Sequence, residues 1–246
     1  MRSIDINCDL GEGMPNDASI MPCISSANIC CGFHAGNEKT TRTTIKQAVK
    51  NKLAIGAHPG FADKENFGRA ELMLPPHDYY ALVMDQLIAF KSIADEEGAV
   101  IHHVKAHGGL YNLAAKNSMV ANEVAKAVYD FDPHLIFYGL SNSIMLTVAG
   151  SMGLKTASEV FADRTYQDDG SLTPRVKKNA LLTDAQAVSQ QVLLLANEQR
   201  AISVNGHSLS LKADTVCIHG DTPHAYAFAK AIHQTLKENK IQMRPL

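Results

Sequence analysis

Short runs of β-branched and apolar residues recur along the chain. They are separated by longer stretches in which apolar positions return every three or four residues. The short runs predict strands over 3–8, 26–31, 53–58, 100–107, 135–140, 155–159 and 215–219. The longer stretches predict helices. Asn37 is placed to cap one that carries Thr44, Ile45, Ala48 and Val49. Pro75-Pro76-His77-Asp78 opens a second, with Leu82, Val83, Leu87, Phe90 and Ile93 on one face and Gly98 at its end. Ser118 opens a third, with Val120, Val124 and Val128 on one side, and Ser141 a fourth that stops near Gly153. Thr183 caps a fifth bearing Val188, Val192 and Leu195, and Thr222-Pro223 starts the last, with proline at the first helical position.

Alternation of strand and helix marks a parallel-sheet α/β fold. Seven strands favour a closed or nearly closed barrel over an open, doubly wound sheet, so the expectation is one TIM-like (β/α)7 barrel domain over residues 1–246. Two stretches break the rhythm. Residues 161–178 are polar, rich in Asp, Arg and Gly, and long for a connection, which suits a functional loop or lid. Residues 201–212 alternate around Asn205-Gly206, a hairpin signal.

Side chains alternate between faces along a strand. In the first strand Ile4, Ile6 and Cys8 share one face and Asp5, Asn7 and Asp9 the other. The same count puts Ser26, Asn28 and Cys30, then His58, then His103, Lys105 and His107, then Glu159, then Cys217 and His219 on the face opposite the apolar one. The apolar face belongs against the helices. The polar one fills the barrel and thickens toward the C-terminal strand ends, where such barrels build active sites. Ionisable groups buried there must be paired, hydrated or bound to a ligand. Glycines follow many of them, in Gly11-Glu12-Gly13, His34-Ala-Gly36, His58-Pro-Gly60, His107-Gly-Gly109 and His219-Gly-Asp221, and allow tight turns and close approach of a ligand.

A lone buried histidine usually serves the core; His34, His58, His107 and His219, each beside glycine at a strand end, point as a set to a site. Asp9 and Glu12 could cap a turn, yet both lie at one Gly-rich strand exit. Lys105, Arg69 and Arg164 suit phosphate or carboxylate, the bland alternative being ion pairs. His102 faces outward by parity, and Cys217 faces inward with no activating partner in the sequence. A divalent ion such as Zn²⁺ would find Asp9, His58 and His107 in the barrel mouth, although no H-x-x-x-H or H-E-x-x-H helix is present.

Composition narrows the classes. The chain has 246 residues, 46% hydrophobic and 20% charged, and a net charge of −2. That balance leaves no electrostatic footprint for nucleic acid or an anionic membrane. No apolar run reaches membrane-spanning length, and the first residues lack a signal-peptide core. The five cysteines (Cys8, Cys23, Cys30, Cys31 and Cys217) form no C-x-x-C pair. Reduced thiols in a cytoplasmic protein are the simplest expectation. Self-association is left open.

The chain resembles the LamB/YcsF family, the A subunits of bacterial 5-oxoprolinase. The resemblance rests on Asp5-Ile-Asn-Cys-Asp-Leu-Gly-Glu-Gly13, Ser26-Ala-Asn-Ile-Cys-Cys-Gly-Phe-His-Ala-Gly36, Ile55-Gly-Ala-His-Pro-Gly60, Phe67-Gly-Arg69, His103-Val-Lys-Ala-His-Gly-Gly-Leu-Tyr-Asn112, Glu159-Val-Phe-Ala-Asp-Arg164 and His219-Gly-Asp221. It departs where the family commonly reads Lys-Pro-His-Gly-Ala, here Lys105-Ala-His-Gly-Gly109, and in having Cys30 for Ala and Asn37 for Asp. It implies a barrel related to glycoside hydrolases and deacetylases. It also implies ATP-dependent opening of 5-oxoproline to L-glutamate, with Mg²⁺ accompanying the ATP, in concert with B and C subunits.

For that chemistry Asp9 and His107 are candidates for base and acid. Lys105 and Arg164 suit the anionic groups, and Asn7, Asn28 and His58 the orientation of substrate, with Glu12 and Glu159 in support. His34, Arg69, His219 and Asp221 complete the candidate binding set. No G-x-x-x-x-G-K-[ST] loop is present, so ATP either binds atypically here or on the partners. A stand-alone metal-dependent amidohydrolase or deacetylase, and a non-catalytic ligand-binding subunit, are the alternatives.

Overall fold

The computed structural model describes residues 2–246. Six parallel strands follow one another: β1 (Ser3–Leu10), β2 (Ser26–Cys30), β3 (Ala54–His58), β4 (Ile101–Lys105), β5 (Ile136–Leu140) and β6 (Lys155–Phe161). A small antiparallel hairpin, β7 (Arg200–Ile202) and β8 (Ser208–Ser210), precedes β9 (Thr215–His219). β9 pairs with β6 on one side and with β1 on the other, placing Asp9 opposite His219, so the seven long strands close a barrel. A last short strand, β10 (Gln242–Met243), adds to the start of β1.

Helices ring the barrel: α1 (Asp17–Ile20), α2 (Glu38–Lys50), α3 (Pro76–Glu96), α4 (Gly108–Lys116), α5 (Ser118–Phe131), α6 (Ile144–Ser151), α7 (Ala185–Glu198) and α8 (Ala225–Glu238). Among the described residues none is long and apolar enough to cross a membrane. The apolar strand face meets them as parity predicts. Ile4, Ile6, Cys8 and Leu10 are buried in one cluster with Val83, Leu87, Phe90, Val124, Val192 and Ile232.

Some helix starts match expectation and others differ by a residue or more. Asn37 does cap α2, its side chain accepting from the Thr40 N–H at 3.1 Å. α5 opens at Ser118 as expected, with Asn117 before it as the cap, whereas the cap of α7 is Asp184, not Thr183; each carboxyl or amide oxygen accepts from the first-turn N–H groups. α6 starts after Ser143 rather than Ser141. α8 starts at Ala225, because the Thr222 carbonyl first closes a turn with the Ala225 N–H. β4 ends at Lys105 instead of running to 107. The chain leaves the sheet there, His107 donating its N–H to the Pro59 carbonyl, and α4 begins at once.

The 161–178 stretch folds back on itself through the antiparallel bridge Tyr166↔Leu172, pairs with the residues just after it at Arg164↔Leu181, and touches the hairpin at Tyr166↔Ser203. In the hairpin the turn is one residue off the Asn-Gly pattern. The Gly206 N–H donates to the Ser203 carbonyl and Gly206 takes φ +85°, so Asn205 is the third turn residue and Gly206 the fourth.

A barrel interior of this kind is usually filled by Val, Ile and Leu. Here polar groups fill it in layers. At the base the Asp5 carboxylate accepts from Ser25, Ser26, Thr215 and Tyr138 at 2.6, 2.7, 2.6 and 3.0 Å. Burial pushes the Asp5 carboxyl up, and the four hydroxyl donors pull against that. One layer higher, Asn28 Nδ2 donates to both Asn7 Oδ1 and Asp9 Oδ1 at 2.7 Å, and Asn28 Oδ1 accepts from His103 Nε2 at 2.8 Å. His103 lies flat on Tyr138, centroids 4.1 Å apart. It fits because residue 56 is glycine: a Cβ there would lie 2.2 Å from His103 Nε2.

Candidate active site

The polar layers end in a cavity of about 770 Å³ at the C-terminal mouth of the barrel, with Asp9, Glu12, His58, Lys105 and His107 along its floor. Lys105 stands at the centre. Its Nζ lies 2.8 Å from Asp9 Oδ1, 2.9 Å from Glu159 Oε1 and 3.1 Å from Cys217 Sγ. Burial disfavours the ammonium, yet the charges of Asp9 and Glu159 carry its pKa well above the lysine range. Burial likewise opposes the Asp9 charge, but His58 and Lys105 overcome it and hold Asp9 well below the carboxylate range. Lys105 and Asp9 are therefore an ion pair at neutral pH. Cys217 stays a thiol: burial and the Asp9 charge push it well up, against the pull of Lys105.

Beside this ion pair three imidazoles and a carboxyl converge. His34 Nε2 is 3.1 Å and His107 Nδ1 3.3 Å from Glu12 Oε1, while His58 Nε2 is 2.9 Å from His107 Nδ1. His34 and His107 stack in parallel, centroids 3.8 Å apart. Burial pushes His34 down to about 3 and His107 well below the histidine range. Burial and the neighbouring Asp9 and Asp221 charges push Glu12 well up. Two groups of donors are close enough to hold an ion: Glu12, His34, His58 and His107, and separately Asp9, Cys217 and His219.

The remaining predicted residues sort by depth. Arg69 and Asp221 form an ion pair on the cavity rim. Arg164 lines the wall, with Nη2 donating to the Thr173 carbonyl at 2.7 Å and Nε without a partner. Burial, with Arg175 nearby, lowers its pKa to about 10. His219 also lines the wall, fixed by Asp163 at 2.9 Å and stacked on Phe161. Asn7, Asn28, His34 and Glu159 are fully buried and lie outside the lining, so they reach the cavity only through the groups they hold. His102 is half-buried outside the barrel, bonded to the Leu246 carbonyl.

Sequence reasoning missed Asp163, which orients His219, and Tyr111, whose hydroxyl is buried and unpartnered in the cavity wall. Tyr111 sits on α4, a helix hidden by its opening Gly108-Gly109 pair. Ser141 and Ser143 add two more buried hydroxyls without partners to the same wall. Four such atoms, counting Arg164 Nε, belong to residues that line one cavity and have no hydrogen-bond partner from the protein.

The family model described as LamB/YcsF family matches residues 4–246. The chain belongs to the LamB/YcsF family. Among relatives of this LamB/YcsF chain, a protein of Shouchella clausii named as the A subunit of 5-oxoprolinase is 48% identical, over 99% of this chain and 98% of that one. One of the same name from Brevibacillus brevis is 46% identical over 96% and 95%. The solved structure of a lactam utilization protein from Thermus thermophilus superposes with a TM-score of 0.93 at 34% identity, covering 99% of this chain and 100% of that one. A peptidoglycan deacetylase of Bacillus subtilis, at TM-score 0.52 and 11% identity over 99% and 87%, shares the barrel fold alone.

Proposed function

We propose that this chain is the A subunit of a 5-oxoprolinase and hydrolyses the lactam of 5-oxoproline to L-glutamate, driven by ATP and acting with B and C subunits. Its relatives' name supports the substrate. The observation that carries the reading to these residues is the ring of unpartnered polar atoms (Tyr111 Oη, Ser141 Oγ, Ser143 Oγ and Arg164 Nε) around the Lys105–Asp9 pair in one cavity. 5-Oxoproline offers matching groups: a carboxylate for Arg164 or Arg69, and a lactam oxygen and N–H for the hydroxyls and for Lys105.

A lactam resists water because its nitrogen lone pair is delocalised. Transfer of the ATP γ-phosphoryl group to the lactam oxygen, with loss of ADP, makes the ring carbon electrophilic. Water adds there and loses a proton, and the C–N bond then breaks as nitrogen takes one up. The resulting acyl phosphate yields L-glutamate and phosphate with a second water. Asp9 accepts from Lys105 and Asn28, which weakens it as a base; its part is to hold Lys105 and His58 in place. Proton transfer falls to His107 and His58, with Glu12 3.3 Å from His107 Nδ1. Mg²⁺ belongs with the ATP in this scheme, and a cytoplasmic location fits the five free thiols.

The test follows isotope-labelled 5-oxoproline with and without ATP, for the chain alone and with its partner subunits. Labelled glutamate should form with ATP and partners together. Alanine at Lys105 or His107 should lower that rate by about 100-fold or more. Glutamate from the chain alone without ATP would contradict the reading and favour a stand-alone amidohydrolase.

A further inference from the structure

Among the described residues, five lysines and arginines line the cavity, and their partners divide them into two groups. Lys105 faces Asp9 and Glu159, Arg69 is paired with Asp221, and Lys116 meets Glu71 at 2.7 Å. Arg164 and Arg175 make no ion pair with any described residue. The acids on their own segment face other partners: Asp163 meets His219, Asp168 accepts from Asn205 at 2.8 Å, and Asp169 accepts from the Ser171 N–H at 2.9 Å. Two guanidiniums therefore share one wall without a counterion of their own. They are near enough for the Arg175 charge to add to burial in bringing Arg164 down to about 10. A like-charged pair held in a partly enclosed wall is unfavourable until an anion joins it.

Neutral donors stand on the adjoining strand end. β5 pairs with β6, and the Ser141 N–H donates to the Glu159 carbonyl at 2.9 Å, so Ser141 follows β5 beside the strand that leads to Arg164. Ser141 is 4% exposed and Arg164 7%, and Ser141 Oγ and Arg164 Nε have no hydrogen-bond partner. Arg164 spends Nη2 on the Thr173 carbonyl. Ser143 stands at the start of α6, yet its hydroxyl does not cap the helix and is also without a partner. An uncapped helix start, two hydroxyls and two guanidiniums are the donors that oxyanions with several acceptor oxygens take.

We propose that Arg164, Arg175, Ser141 and Ser143 form a phosphoryl-binding subsite on this wall of the cavity, apart from the Lys105–Asp9 floor. The proposal rests on the reading of the cavity as the place where the lactam is activated. A carboxylate brings one charge, which a single guanidinium matches with two parallel hydrogen bonds. A phosphoryl group brings nearly two charges and three acceptor oxygens, which suit two guanidiniums and the hydroxyls beside them. The cavity of about 770 Å³ is far larger than 5-oxoproline fills, so it has room for a phosphorylated lactam or for the phosphate tail of ATP. Arg69 is then left for the substrate carboxylate. Arg175 also gives the long 161–178 connection a task, since that segment brings the second guanidinium to the wall.

The test titrates the full chain by isothermal calorimetry, at fixed ionic strength, with inorganic phosphate, with the non-hydrolysable ATP analogue AMP-PNP, and with 5-oxoproline. It reads binding and not turnover. A chain that binds phosphate and never opens the lactam contradicts the proposed function alone; a chain that opens the lactam and binds no phosphate contradicts the subsite alone. Saturable binding of one phosphate per chain is expected. Displacement of that phosphate by AMP-PNP supports the subsite as the place of the ATP phosphates, and phosphate binding with no AMP-PNP binding supports it as the place of the phosphorylated lactam. Arg175→Gln alters an exposed residue and should weaken phosphate binding by about 10-fold. Combined with Arg164→Gln it should weaken binding by about 100-fold or more, with native circular dichroism retained. Lys178→Gln removes an equal charge from the same segment outside the cavity lining, and should change the affinity by less than about 2-fold. A wild-type chain with no saturable phosphate binding would overturn the proposal. So would unchanged affinity in the folded Arg175→Gln chain, or an equal loss in Lys178→Gln. Variants that lose 5-oxoproline and keep phosphate would also overturn it, because the wall would then be the carboxylate site.

Discussion

Replacing Lys105 by methionine removes the cation at the centre of the barrel while keeping an unbranched side chain. The ammonium contacts Asp9 and Glu159 at 2.8 and 2.9 Å, and the three side chains are 3%, 9% and 0% exposed. At an effective dielectric near 20 each contact contributes about 6 kcal/mol before desolvation. Desolvation offsets most of that in the wild type, but removing one partner leaves the carboxylates buried and uncompensated, at a cost of about 3–5 kcal/mol. That is a large share of the roughly 5–15 kcal/mol that holds a domain together. Urea unfolding at pH 7.5 reads the loss as a lower midpoint with an unchanged slope. Adding Glu159→Gln to Lys105→Met should recover part of it, because one stranded charge is gone. A single variant within about 1 kcal/mol of wild type would refute the claim that these charges depend on Lys105.

Other outcomes follow from the same geometry. Gly56→Ala drives a Cβ into His103, 2.2 Å from Nε2, and should cost about 1–3 kcal/mol by thermal melting; an unchanged melting temperature would mean the ring is not confined there. Burial first, and then the charges of His102 and Lys105, hold His103 well below the histidine range. The unfolded chain therefore takes a proton near pH 6.5 that the native state refuses, so stability is full above that pH. It falls by about 1.4 kcal/mol per unit below it. Urea midpoints between pH 7.5 and 5.5 should show a shallower decline in His103→Gln than in wild type, and equal slopes would contradict this. Tyr111→Phe removes a hydroxyl without a partner, so stability should move by less than about 0.5 kcal/mol while kcat/KM for 5-oxoproline falls about 10-fold; the opposite split would mean the hydroxyl serves the fold.

The seven barrel strands were legible as short apolar runs, and β1 also alternates cleanly: Ile4, Ile6 and Cys8 went to the helices, and Asp5, Asn7 and Asp9 to the interior. Parity also carried most of the site, since His58, Lys105 and Asp9 lie on the counted face. It could not supply partners. Asp163 meets His219 across 56 residues of sequence, and Asn28 links Asn7 and Asp9 on the adjacent strand to His103 two strands away, a set of contacts that strand order, not parity, decides. α4 was invisible because two glycines, poor helix formers, open it. The structure gives the reason for Gly109, where a Cβ would meet the Ala70 carbonyl oxygen at 2.2 Å. His107 was counted as a strand residue, yet it reaches the cluster from the turn after β4. The cap of α7 slipped because Asp184, beside Thr183, is an equally good cap on paper.

The central claim is that the Lys105–Asp9 ring acts on the lactam. The most direct measurement is a single turnover of labelled 5-oxoproline with ATP by the complex reconstituted with wild-type chain or with Asp9→Asn. The wild type should give labelled glutamate in step with ADP, and Asp9→Asn should slow glutamate formation by about 100-fold or more while the complex still assembles. Glutamate formed at the wild-type rate by the assembled Asp9→Asn complex would contradict it.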